Sequence, residues 1–191
     1  DVSAPEAKGS TKRDSKTVDA RAFDVKTDST RDERLTEFGK KYEVPIFLDR
    51  RVDPDQKIDL SAQDLPVEGV LSLAAQKLKL GTCTIGKVHY LGPKSTASRL
   101  AGVIAQRKLD LRKLRPQART VWSKSKELKW DEAASPRDIA AALAQEAGAE
   151  LENPEQIPHD VWPAYDLPAM TLTERLSLVL DPLRELIDHV H

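Results

Sequence analysis

The sequence predicts an α+β fold: two small βαβ-type modules related by an internal repeat and joined by a partly helical, basic linker. Three observations carry that expectation. Residues 58–74 read as an alternating strand, an Asp64-Leu65-Pro66 turn and an amphipathic helix holding Leu71-Ser72-Leu73. Residues 164–179 repeat the plan with Asp166-Leu167-Pro168 and Leu176-Ser177-Leu178. A single offset of 105 residues then aligns the halves, pairing Phe38 with Leu143, Ile46 with Leu151, Val67 with Leu172, Leu71 with Leu176 and Leu78 with Leu183. Finally, residues 29–93 give helix, strand, strand, helix, strand, strand, a density that suits a compact α+β unit. The expected organisation is a disordered or extended tail over 1–28, module 1 over 29–93, the linker over 94–127 and module 2 over 128–191.

Residues 1–16 mix charged and small polar types without periodicity, a composition that cannot bury enough apolar surface to order itself. Ser29 or Thr30 can cap a helix whose first turn carries Asp32 and Glu33, and Leu35, Phe38 and Tyr42 fall on one face of it. Val44 to Leu48 reads as a buried strand, with Pro45 at its start or on an edge because proline cannot donate a ladder bond. Lys57 to Ala62 alternates as a half-buried strand. Pro66 then opens a helix whose stripe is Val67, Val70, Leu71, Ala74 and Leu78, with Gly81 as its stop. Thr82–Ile85 and Val88–Leu91 flank Gly86-Lys87 in the pattern of a tight hairpin, which Gly92-Pro93 ends.

In the linker, Leu100, Val103 and Ile104, then Leu109, Leu111 and Leu114, predict two short helices ended by Pro116. Leu128-Lys129-Trp130 reads as a strand entering module 2. Ser135-Pro136 is a capping residue followed by proline at the first helical position; Ile139, Leu143 and Ala147 form the stripe and Gly148 the stop. Ala149 to Glu152 is expected as a strand, Asn153 to Pro163 as a loop holding His159, Asp160 and Trp162, and Tyr165 to Leu167 as a strand. Leu172, Leu176, Val179 and Leu183 line the last helix, and Leu186 to Val190 is expected as its closing strand.

Hydrophobic residues make up 39% of the 191 and aromatics only 5%, so the core is aliphatic. The formal net charge of −1 conceals a segregation. Residues 107–129 carry nine basic and two acidic side chains, whereas 131–191 carry three basic and thirteen acidic. Such asymmetry bears on association more than on fold. The single cysteine, Cys83, excludes an internal disulfide framework and a cysteine-rich zinc site. No apolar run approaches the roughly 20 residues that span a bilayer. The start at Asp1 is expected to reflect processing or trimming, consistent with removal of a signal peptide.

Candidate chemistry is sparse. His159-Asp160 beside Trp162 has the composition of an oriented general base, yet no serine or cysteine nucleophile stands in a recognisable context, and the plainer expectation is that Asp160 caps the loop. His89 is expected as a surface or half-buried strand histidine. His189 and His191 share a strand face but supply only two of the four ligands a closed site typically needs. Asp49, Asp53, Asp55 and Asp59 lack the glycine and terminal glutamate of a calcium loop, and Arg50, Arg51 and Lys57 provide counter-charge for solvated ion pairs. Cys83 is expected to pack as a small hydrophobe. No phosphate-cradling glycine motif is present. No catalytic residue, cofactor or metal is therefore expected.

The stretch with functional pull is 107–129. Arg112, Lys113, Arg115 and Arg119 can grip phosphates while Trp122 stacks a base, which makes nucleic acid one possible partner. The preferred expectation is that this basic run meets the acidic second half, within one chain or between copies.

The Leu35–Leu48 and Ile58–Tyr90 segments of module 1, and the Ile139–Gly148 helix, Ala149–Glu152 and Leu167–Leu183 of module 2, resemble the short N-terminal domain of secretins and TonB-dependent receptors, the STN domain. The resemblance covers about 60 residues in each half and rests on hydrophobic spacing. A tandem pair, with no barrel or secretin core following, departs from the family's pattern. The resemblance implies two helices packed between small sheets, a periplasmic or otherwise extracytoplasmic location, and a non-enzymatic role in protein–protein recognition or assembly. Recognition is then expected at exposed sheet edges and at the loops 49–56 and 155–163, by addition of a partner strand, with Trp162 and Tyr165 as anchors.

Overall fold

A computed structural model describes residues 31–53, 55, 56, 58, 60 and 65–188. The expected tail, the caps Ser29 and Thr30, His189 and His191 lie outside these residues. The fold is α+β, with six α-helices and two small sheets among the described residues.

Helix α1 (Arg31–Tyr42) buries Leu35 and Phe38 on one face and leads through Pro45 into β1 (Ile46–Leu48). The expected strand over 57–62 falls partly outside the described residues; Ile58 and Leu60 are buried. Pro66 caps α2 (Val67–Lys77), and the whole predicted stripe from Val67 to Leu78 is buried. Gly81 does not stop this helix. Lys79 takes the left-handed turn (φ 60°), and Gly81 instead opens β2 (Gly81–Ile85), where an added Cβ would come within 2.8 Å of Lys94 Cα. The hairpin to β3 (Val88–Gly92) forms as expected, with Gly86 left-handed at its tip. The first sheet runs β1-β3-β2, with β1 parallel to β3 and β2 antiparallel to it.

The linker differs from its prediction. Instead of two short helices, one 18-residue helix α3 runs Lys94–Leu111, because no breaker interrupts the good helix formers around Gln106 to Lys108. It buries Ala97, Leu100 and Ile104, so it belongs to the core. Pro116 starts α4 (Pro116–Ser123), none of whose residues is buried.

Strand β4 (Ser125–Trp130) pairs antiparallel with β5 (Tyr165–Thr171). Between them α5 (Pro136–Glu146) starts and ends where Ser135-Pro136 and Gly148 predict. The expected strand over 149–152 is irregular backbone leading into a 3₁₀ turn at Pro154–Gln156. β5 runs straight through Pro168, which was expected to turn the chain. The ladder slips between Lys126 and Leu128, leaving Pro168 and Ala169 without cross-strand partners, so the missing N–H is not required there. Helix α6 (Leu172–Asp188) buries Leu172, Leu176, Val179 and Leu183. It continues over 186–188, where a strand was expected. Pro182 forfeits one helix bond without ending the helix.

The internal repeat is not carried by the strands. The starts of α1 and α5, and of α2 and α6, do stand 105 residues apart. However, β1 is answered by irregular chain, and the first three residues of β2 by the end of α6. The Asp-Leu-Pro motif itself precedes a helix once and lies inside a strand once.

One apolar cluster joins the halves: Phe47, Val88 and Tyr90 of the first sheet, Leu100 and Ile104 of α3, and Trp130, Leu143, Met170, Leu178 and Val179 of the second half. A second cluster under α1 and α2 holds Leu35, Phe38, Val70, Leu71 and Leu91.

Candidate binding cleft and basic corner

Aromatic rings close the seam between the two sheets. Phe47 of β1 lies 4.9 Å from Tyr165 and 6.0 Å from Trp162, and Trp130 lies 5.4 Å from Tyr165 and 5.6 Å from Trp162 (ring centroids). Offset and tilted ring pairs at these distances add to what burial alone contributes. Trp162 is 5% exposed, its backbone N–H bonds Ala134 C=O, and its indole N–H bonds Asp160. Trp162 is therefore seam core and offers no free face to a partner. Tyr165 is half-buried, and its hydroxyl accepts the Leu48 N–H (3.1 Å) and donates to the Leu48 C=O (3.3 Å).

That contact fixes how β1 presents itself. His89 N–H bonds Pro45 C=O and Asp49 N–H bonds Leu91 C=O, so alternate residues of β1 face β3. Leu48 and Ile46 direct their peptide groups the other way. Tyr165 caps Leu48, while Ile46 lines an open cleft of about 650 Å³. Its walls are the α1 residues Leu35, Thr36 and Gly39 on one side and Pro163, Ala164 and Leu167 on the other. Lys40, Glu43 and Asp166 supply charge at it.

The loops expected to recognise a partner lie against each other. Arg50 Nε stands 2.8 Å from Asp160 Oδ2. Asp160 also accepts from Val161 N–H and Trp162 Nε1, which is the loop capping foreseen for it, while His159 is exposed. The His-Asp constellation of a general base is thus not assembled. Asp49, foreseen as solvated, is 2% exposed. It takes two guanidinium bonds from Arg51 and a short bond from the Tyr90 hydroxyl. Burial, and next the charge of Asp49, push the Tyr90 hydroxyl far above its ordinary range. No periodicity in the sequence signals this buried polar knot; the adjacent Asp49 and Arg51 were its only trace.

His89 is half-buried as expected; burial lowers its pKa, partly offset by the charge of Glu68. Cys83 is half-buried at the margin of the shared core, and burial pushes its thiol up to about 11. Among the described residues no three His, Cys, Asp or Glu side chains form a metal set, and no helix is long and apolar enough to cross a membrane.

The basic stretch divides. At its two ends the cations meet acids of the second half: Arg107 with Asp181 (3.4 Å), Lys108 with Glu174 (2.9 Å), Lys126 with Glu146 (3.1 Å) and Lys129 with Asp166 (2.9 Å). The pairing is intramolecular. Burial raises the Glu174 carboxyl, but the bonds from Lys108 and Thr171 outweigh it and the net shift is downward. In the middle, Lys113 pairs with Asp110, and Arg119 bonds the carbonyls of Arg112 and Leu114. Arg112, Lys113, Arg115 and Arg119 are all exposed. Trp122, foreseen as a stacking platform, is half-buried against the shared core. It also lines a second cavity of about 270 Å³ with Arg107, Leu151 and Leu176.

No protein-family model matches the chain, and neither does any curated protein or solved structure. The STN resemblance therefore stands on the residues quoted for it alone.

Proposed function

We propose that this chain is a non-enzymatic, extracytoplasmic protein–protein interaction module of the STN type. Its cleft between α1 and β5 takes an extended segment of a partner protein. The observation that carries this reading is the outward-facing peptide group of Ile46 at the open edge of β1, set in an apolar-walled cleft. An extended segment laid there gains main-chain bonds from Ile46 and side-chain burial against the half-buried Val44, Pro45 and Pro168. The neighbouring edge is guarded: Tyr165 caps Leu48, and Pro168 removes a donor from β5. Recognition is therefore confined to a short stretch of edge, with specificity set by the cleft walls. This differs from strand addition along a whole sheet edge.

The test is selection of peptides from a random library, followed by amide-resolved nuclear magnetic resonance of the selected complexes. Selected peptides are expected to shift Ile46 and Leu48, and Thr36→Trp, which fills the cleft from α1, is expected to weaken them about tenfold or more. Peptides that bind without moving Ile46, or that bind Thr36→Trp as well as the parent protein, would overturn the reading.

A further inference from the structure

The corner where α3 turns into α4 combines two features that the cleft does not use. Four large hydrophobic residues are exposed among those described, and three of them stand here: Leu109 (49%), Leu114 (37%) and Val121 (36%). Around them Arg112, Arg115, Arg119 and Lys124 are exposed and have no carboxylate within ion-pair distance among the described residues. The corner's one acid, Asp110, is taken by Lys113. Helix α4 buries none of its residues and is tethered to the shared core through Trp122.

We infer that this corner docks the protein on an anionic lipid surface, with Leu109, Leu114 and Val121 entering the headgroup boundary and Arg112, Arg115, Arg119 and Lys124 meeting lipid phosphates. Aliphatic residues beside unpaired cations on an exposed helical element are what an interfacial anchor requires. An acidic protein would meet the cations but would have to supply apolar area for Leu109, Leu114 and Val121 as well. A nucleic acid would use the cations but leave three aliphatic side chains in water, and Trp122 is already turned to the core. The chain as a whole is near neutral, so attraction depends on this local concentration of charge.

The experiment is flotation of the full chain with vesicles of phosphatidylcholine alone and with about one-third phosphatidylglycerol, at low and high salt. Binding is expected only to the anionic vesicles, weakening as salt rises. A cation near an anionic bilayer contributes about 1 kcal/mol, a factor of about five, so Arg112→Gln with Arg115→Gln should weaken binding about thirtyfold. Leu109→Ser with Leu114→Ser should weaken it while leaving the salt dependence in place. All four positions are exposed, and unchanged thermal melting of each variant would establish that the fold is intact. Failure to bind anionic vesicles, binding that both double variants retain, or tight binding of a DNA or RNA duplex in place of vesicles would each overturn the inference. Because none of these positions lines the cleft, a failure here leaves peptide binding at Ile46 untouched.

Discussion

Replacing Glu146 with glutamine tests the tie that holds three elements of the second half together. Glu146, in the last turn of α5, accepts two guanidinium bonds from Arg175 of α6 (2.8 and 2.9 Å) and lies 3.1 Å from Lys126 of β4. Arg175 is 2% exposed, and its Nε is buried without a bond of its own. The bonds from Arg175, helped by Lys126 and opposed by burial, hold the Glu146 carboxyl at about 2, against an ordinary 4.5. That displacement corresponds to about 3 kcal/mol. Solvent reaches a fifth of the Glu146 side chain, and screening brings the figure to roughly 2 kcal/mol. The guanidinium, left in the interior with an amide oxygen in place of its counter-charge, raises the cost again, so Glu146→Gln should lose about 2–4 kcal/mol in urea unfolding at pH 7. The sign follows from the direction of the shift. A carboxyl whose pKa falls on folding contributes fully above its unfolded value, and that contribution drains away as pH drops towards the folded value. The gap between parent and variant should therefore be complete at pH 7, begin to close below about 4.5 and be small near pH 2. A gap under about 1 kcal/mol at pH 7, or one of equal size at pH 7 and pH 2.5, would refute the assignment.

Two further outcomes follow from the seam. Trp162→Ala empties a buried site ringed by Phe47, Trp130 and Asp160, and should lower stability by about 3–5 kcal/mol; a loss below about 1 kcal/mol in chemical unfolding would return Trp162 to the surface role read from the sequence. Tyr165→Phe keeps the ring against Phe47 but strips the cap from Leu48. It should cost about 1–2 kcal/mol and accelerate hydrogen exchange at the Leu48 amide, whereas unchanged exchange there would mean that the hydroxyl does not guard the edge.

Hydrophobic periodicity made the helices legible. The stripes on α1, α2 and α6 and the bounds of α5 lie where spacing put them, although the Ser135 side chain makes no capping bond, and the β2–β3 hairpin follows from Gly86-Lys87. What periodicity cannot encode is partnership between distant segments. Trp162 and Tyr165 read as exposed anchors because a tryptophan in a proline-rich loop carries no periodic signal of burial. Only the approach of Phe47, more than a hundred residues earlier, turns that loop inward. The Asp49 knot was hidden for the same reason: Tyr90 and Thr96 reach it from β3 and α3. The Pro168 strand was misread because the local rule, proline as a turn former, gives way where a bulge in the ladder removes the need for its N–H. The cleft itself arises between α1 and β5, and no motif marks either wall.

The charge segregation turns out to serve two ends within one stretch. Arg107 and Lys108 at the end of α3, and Lys126 and Lys129 in β4, reach Asp181, Glu174, Glu146 and Asp166. Arg99 adds a bond to the Asp181 carbonyl, so α3 is fastened to α6 along its length. A chain that needed basic residues only as this clamp would have no physical reason to place more between them. Those between, from Arg112 to Lys124, sit on a turn and a helix that bury nothing, and so cannot reach the same acids. Arg119 bonds the carbonyls of Arg112 and Leu114 past the end of α3, while Arg112, Arg115 and Lys124 stand exposed beside three exposed aliphatic residues with no carboxylate in ion-pair distance among the described residues. On the lipid-docking proposal this corner is an interaction surface separate from the cleft at β1, whose lining includes none of its residues.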